Sequence, residues 1–127
     1  MSIFHHNVRI DNELTNSRSL SEILNIINSK NNWYNFNAIN FSTALSCLAE
    51  KFMGAEQSIK RSLRHCLVGD YCQEFLKKFE TLAKDFDSQQ LINILHALAK
   101  LGVNHYVVDY YNPYTISFVT RYFTYPR

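Results

Sequence analysis

The sequence predicts an all-α fold of stacked helix pairs, a short α-solenoid, from three observations. The 127 residues include only three Gly and two Pro, so long segments run free of the residues that punctuate β sandwiches and barrels. Apolar residues recur at three- and four-residue intervals over most of the chain, the period of a helix with one face to bury. One pattern of cap and apolar stripe also occurs twice, fifty positions apart, as in proteins assembled from repeated helical units.

In chain order, residues 1 to 15 show no sustained periodicity, and His5 and His6 read as a frayed terminus with no assigned role. From Ser19, LSEILNII places Leu20, Ile23, Leu24 and Ile27 on one stripe, with Ser19 and Glu22 in capping-box spacing, which predicts a helix over about 20 to 29. Asn occurs thirteen times, seven of them between Asn25 and Asn40, and the accompanying Ile, Phe, Tyr and Lys point to A/T-rich codons, as in a host-associated microbe. The Asn-rich run reads as a connector. Trp33 and Tyr34 within it are expected to pack together as a lid over the junction, because buried aromatics are commoner than exposed stacking pairs.

A helix over about 38 to 52 follows, ending before Gly54, and a third pattern carries Ile59, Leu63, Cys66 and Leu67 up to Gly69-Asp70. Phe75, Leu76, Phe79, Leu82 and Ala83 form a fourth stripe, with Lys77 and Lys78 outward. The best specified element is FDSQQLINILHALAKLGV, residues 86 to 103. Asp87 caps it and Gln90 reaches back, Phe86 and Leu91 have staple spacing, and Gly102 falls where a left-handed terminal residue is wanted. A helix over about 88 to 101 results, and the rest of the chain is read around it. Beyond Gly102 the character changes, with six of eight Tyr between Tyr106 and Tyr125. Asn112-Pro113 is a helix start and TISFVTRYF is strand-like; a short helix completing the second repeat is the preferred reading.

Shifting the sequence by fifty aligns Phe36 with Phe86, Asn37 with Asp87, Phe41 with Leu91, and Leu45, Leu48 and Ala49 with Leu95, Leu98 and Ala99. On these residues, FNAINFSTALSCLAEKF (36 to 52) and QEFLKKFETLAKDFDSQQLINILHALAKLGV (73 to 103) resemble the octotricopeptide and related FAST-kinase-like helical repeats. The resemblance covers roughly half the chain. It implies stacked helix pairs and, as for the characterised members, binding of RNA during its processing or translation in organelles and some bacteria. His96 stands where the family core LWALAKLG often carries Trp, and the family's Pro- and Trp-rich segment is missing.

Length and a 46% hydrophobic content fit one domain, residues 1 to 127. A net charge of +2 does not by itself identify a nucleic-acid ligand. Cys47, Cys66 and Cys72 are an odd number, and the first and last of them fall in helical patterns, so free thiols in a reduced interior are expected, without a metal. No signal-peptide pattern and no apolar run of about 18 residues is present, and a cytoplasmic or organellar protein is expected, with export to a host cell open. The apolar ending allows an oligomer or a piece of a longer chain, since a solenoid end must be capped or continued.

Asn93, His96 and Lys100 are three and four residues apart and share a helix face; their repeat equivalents are Thr43, Ser46 and Glu50. Helical-repeat RNA binders read one base with two or three such side chains per repeat. Lys60, Arg61 and Arg64, with His65, form a basic cluster suited to phosphates, although a solvated face explains both groups more simply. No phosphate loop, nucleophile elbow, zinc-protease or paired-carboxylate signature is present, and His65 and Cys66, adjacent on a helix, point apart. The reading is therefore a non-enzymatic binding module without a cofactor, with single-stranded RNA the preferred partner. The alternative is a protein-interaction module, such as a microbial protein acting on a host partner.

Overall fold

A computed structural model of the chain describes residues 3–30, 33–68 and 72–102. The side chains at 3, 4, 64–68, 72, 73 and 76 lie outside the described set. Six α-helices follow one another: α1 Ile3–Thr15, α2 Leu20–Ser29, α3 Ala38–Phe52, α4 Gln57–Val68, α5 Cys72–Leu82 and α6 Ser88–Leu101, with a 3-10 turn at Ala83–Asp85 between the last two. Among the described residues there is no strand, and no helix is long and apolar enough to cross a membrane. The fold is all-α. Residues 103 to 127, including the segment read as a short helix, lie outside the described residues.

The helix starts obey the predicted chemistry. Asn37 and Asp87 cap α3 and α6, each with a complete capping box closed by Asn40 and Gln90. Ser19 Oγ accepts the Glu22 amide at 3.2 Å, while the Glu22 carboxylate accepts from Arg18 N, one residue earlier than a capping box requires. Gly102 ends α6 at φ 72°, a left-handed conformation whose N–H donates to the carbonyls of Ala99 and Leu98.

Helix α1 occupies a segment in which the sequence shows no sustained periodicity, and it includes His5 and His6, read as a frayed terminus. Asn7, Ile10 and Leu14 occupy one face at helical spacing, and all three are buried. Among the described side chains this stripe contains only two strong hydrophobes, because its third buried residue is an amide. Centrality also shifts from α6 to α3, which packs most extensively on α6 and also on α1 and α2. Helices α1, α3 and α6 thus make one row, and α2, α4 and α5 a second, with α2 touching α1 and α3. In a plain succession of helix pairs α5 would be the main neighbour of α3; here α6 packs along α3 most extensively, and α5 reaches it through the rings of Phe75 and Phe79 against Phe41.

One buried cluster runs through all six helices, with Ile10, Ile23, Phe41, Leu45, Leu48, Leu63, Ile94, Leu95 and Leu98 fully enclosed. Its aromatic part joins elements far apart in sequence. Phe41 stacks on Phe75 at 5.3 Å and meets Phe79 and Phe86 at 6.0 and 5.8 Å, and Trp33 meets Phe36, Phe41 and Phe75 within 5.6 Å. These centroid separations are those of favourable edge-to-face and offset ring pairs. Phe41 lies in the second turn of α3 and Phe86 immediately before the α6 cap, so α3 and α6 begin at the same end of the molecule.

Candidate functional site

Helices α3 and α6 bury their apolar stripes and leave their polar ones outside. On α6, Leu91, Ile94, Leu95, Ala97, Leu98 and Leu101 are buried, Asn93 is half-buried, and His96 and Lys100 are exposed. On α3, Thr43 and Ser46 are half-buried and Glu50 is exposed. Counted from the caps Asn37 and Asp87, the two sets occupy the same positions: the sixth, ninth and thirteenth residues after each cap. Because the helices are neighbours and begin at the same end, the two stripes progress along the molecule in the same direction. Gln89 Nε2 donates to Asn93 Oδ1 at 3.0 Å, which fixes the amide's oxygen and leaves its NH₂ group as donor.

The basic cluster is not joined to the α6 stripe. Lys60 and Arg61 belong to α4, in the second row, and Lys60 Nζ lies 5.0 Å over the Phe52 ring at the exit of α3, an arrangement that occupies its charge. Arg61 is exposed, and the Arg64 side chain falls outside the described set. Nearby, a shallow groove between the start of α2, the end of α3 and the start of α4 is lined by Arg18, Glu50, Lys51 and Glu56, two charges of each sign. Its mixed polarity selects neither anions nor cations.

Trp33 and Tyr34 separate instead of packing as one lid. Trp33 is 2% exposed and Tyr34 71% exposed, which corrects the shared placement. Trp33 has φ 79°, the only described non-glycine residue in left-handed space. Turning the backbone there sends the indole into the core and the next ring out to solvent. Lys78, read as outward, is half-buried: its ammonium donates to Tyr34 O at 2.8 Å and sits 5.9 Å from the ring. Burial lowers the pKa of this lysine. A shallow depression of about 150 Å³ is lined by Tyr34, Glu74, Lys77, Lys78 and Thr81. Two adjacent aromatics flanked by polar residues carry a signal for this split, since neighbours in a turn seldom both face the core.

Asn7 and Asn40 were the other residues hidden in the sequence. Asn7 Nδ2 donates to Asn40 Oδ1 at 2.8 Å and Asn40 Nδ2 to Asn7 O at 2.9 Å, so α1 and α3 are joined by a reciprocal amide bridge inside the core. Asn35 O and Asp11 Oδ1 take further amide hydrogens. Among the described residues no buried side-chain polar atom lacks a partner, so this network is structural and offers no unused group to a ligand.

Cys47 is a free, half-buried thiol whose pKa is raised, first by burial and then by Glu50 and Asp11, with Lys51 opposing. A protonated thiol is a poor nucleophile and metal ligand. No group of three His, Cys, Asp or Glu among the described residues is placed to hold a metal ion. No family model, curated protein or solved structure matches the chain.

Proposed function

We propose that this chain is a single-stranded RNA-binding module whose contact surface is the pair of polar stripes on α3 and α6. The supporting observation is the common register: Thr43, Ser46 and Glu50 repeat the positions of Asn93, His96 and Lys100 on an adjacent helix that starts at the same end. Two such stripes offer successive sets of side chains at a helical-repeat spacing, the means by which repeat proteins read successive bases. In this reading the Asn93 amide and the His96 imidazole meet base edges, and Lys100 meets a phosphate. Lys60, Arg61 and Arg64 add phosphate contacts from α4, with Lys60 leaving Phe52 to do so. Likeness to octotricopeptide and FAST-kinase-like repeats belongs to the same proposal.

Fluorescence anisotropy against a panel of single-stranded RNAs tests it. Affinity on the order of micromolar or weaker is expected, since two repeats and a charge of +2 supply few contacts. Absence of binding at low salt would transfer the assignment to a protein-interaction module. That second reading draws on exposed apolar side chains, above all Met53 at 79% and Ile39 at 53%, the latter on the α3 stripe itself.

A further inference from the structure

We propose that Tyr34, Lys77 and Lys78 form a separate subsite for single-stranded RNA, where one base stacks on the Tyr34 ring and an adjoining phosphate meets the Lys77 ammonium. The proposal rests on the RNA reading above and extends it to the end of the molecule where α3 and α6 begin. Tyr34 is the most exposed described aromatic, and its neighbour Trp33 is held in left-handed backbone with its ring locked among Phe36, Phe41 and Phe75. The loop is therefore anchored from inside while it presents a ring to solvent. Lys78 anchors it from outside through the 2.8 Å bond to Tyr34 O, which makes Lys78 a positioning residue and leaves Lys77, exposed one residue earlier on α5, as the cation free to meet a ligand.

Size and charge narrow the ligand. The depression, about 150 Å³, is well below the ~300–1,000 Å³ of pockets that enclose a whole small molecule. It suits one planar group laid against a ring and continued by a chain outside. Lys77 and Lys78 outweigh the single carboxylate of Glu74, so the continuation should be anionic. A base with its phosphate joins a flat π face to a negative charge at neighbouring positions, and base–aromatic stacking tolerates any base.

Anisotropy with fluorescein-labelled ten-nucleotide oligouridylate and oligoadenylate, on the full chain at low salt, tests the subsite. Tyr34→Leu should weaken both RNAs by about 5- to 150-fold, the range of one base–aromatic stack, whereas Tyr34→Phe should stay within about twofold of the parent. Lys77→Ala should reduce the slope of log affinity against log salt by about 0.7, the value for one phosphate of a single strand. The fluorescence of Trp33, the single tryptophan, reports whether Tyr34→Leu leaves the loop intact; if it does not, Tyr34→Phe and Lys77→Ala decide the matter. Parent-like binding by Tyr34→Leu beside weakened binding by Lys100→Ala would overturn the subsite and leave the RNA reading standing. No RNA binding by the parent chain overturns both, and an equal loss in Tyr34→Phe would show that the hydroxyl, not the ring face, makes the contact.

Discussion

At the scale of single residues, the least anticipated contribution comes from asparagine. Asn40 is 1% exposed yet fully satisfied, because it closes the α3 capping box with Asn37 and bridges to Asn7 on α1. A neutral amide serves both purposes, since it carries donors and an acceptor together and needs no buried charge. Asn7→Ala and Asn40→Ala should each destabilise by about 1–3 kcal/mol, as each strands a buried partner. The double variant should lose less than the sum by about 0.5–3 kcal/mol. Urea denaturation measures this, and strictly additive losses would mean that the two amides do not depend on each other. Trp33 shows the opposite economy, with left-handed backbone costing about 1–3 kcal/mol and tolerated because three aromatic contacts hold the indole. The Cys47 thiol has its pKa raised above the ordinary 9.0, mainly by burial. The folded chain therefore keeps this proton where the unfolded chain releases it. Its contribution to stability is complete below 9.0 and falls as pH rises through the folded value. Thiol titration should find three reactive groups in denaturant, with Cys47 slow to react in the native protein; a disulfide would lower the denatured count, and a stoichiometric zinc signal in elemental analysis would overturn the metal-free assignment.

At the scale of elements, the two described glycines have different work. Gly102 sits at φ 72° with nothing within 4 Å of an added Cβ, so Gly102→Ala should cost about 1–2 kcal/mol through backbone conformation alone. Gly54 has equal space and no positive φ, so Gly54→Ala should be neutral or stabilise by about 0.4–1 kcal/mol through the unfolded chain. Thermal unfolding of the two variants separates these effects, and equal shifts would contradict the distinction. The α3–α6 contact should be felt at Leu45 and Leu95, both fully buried and fifty positions apart. Alanine at either should lose about 2–5 kcal/mol. A loss below about 1 kcal/mol in denaturant would remove that residue from the core.

At the scale of the whole molecule, the arrangement in two rows decides which polar groups share a surface. Lys100 is exposed on α6, while the α4 cluster lies in the other row, with Lys60 drawn onto Phe52. If the stripes bind RNA, Lys100→Ala should weaken all single strands alike and flatten the salt dependence. Asn93→Ala should instead change preference among sequences by about 1–3 kcal/mol. A salt titration across a panel of oligonucleotides measures both. Binding unchanged when Lys60, Arg61, Arg64 and Lys100 are all alanine would assign these cations to solvation and favour a protein partner.

Helices α2, α3 and α6, their caps and their buried stripes were legible in the sequence because they depend on neighbours within four positions. Asp87 meets the Gln90 amide, Leu91 to Leu98 line one face, and Gly102 supplies the left-handed end whatever the rest of the chain does. Helix α1 was not legible, since Asn7 looks like a surface residue until Asn40, thirty-three positions away, supplies its partner. The division between Trp33 and Tyr34 needed Phe75 and Lys78, three residues apart on α5, to meet the indole and the Tyr34 ring respectively. The sequence by itself therefore determined that α2, α3 and α6 are helices and which face each would bury. Only the tertiary structure decided that α3 is the centre, that α6 packs along it more extensively than α5, and that Tyr34 is left outside. Apolar periodicity states how much surface a helix must hide but not against which partner, and that choice is made by shape and hydrogen-bond matches between residues distant in the chain.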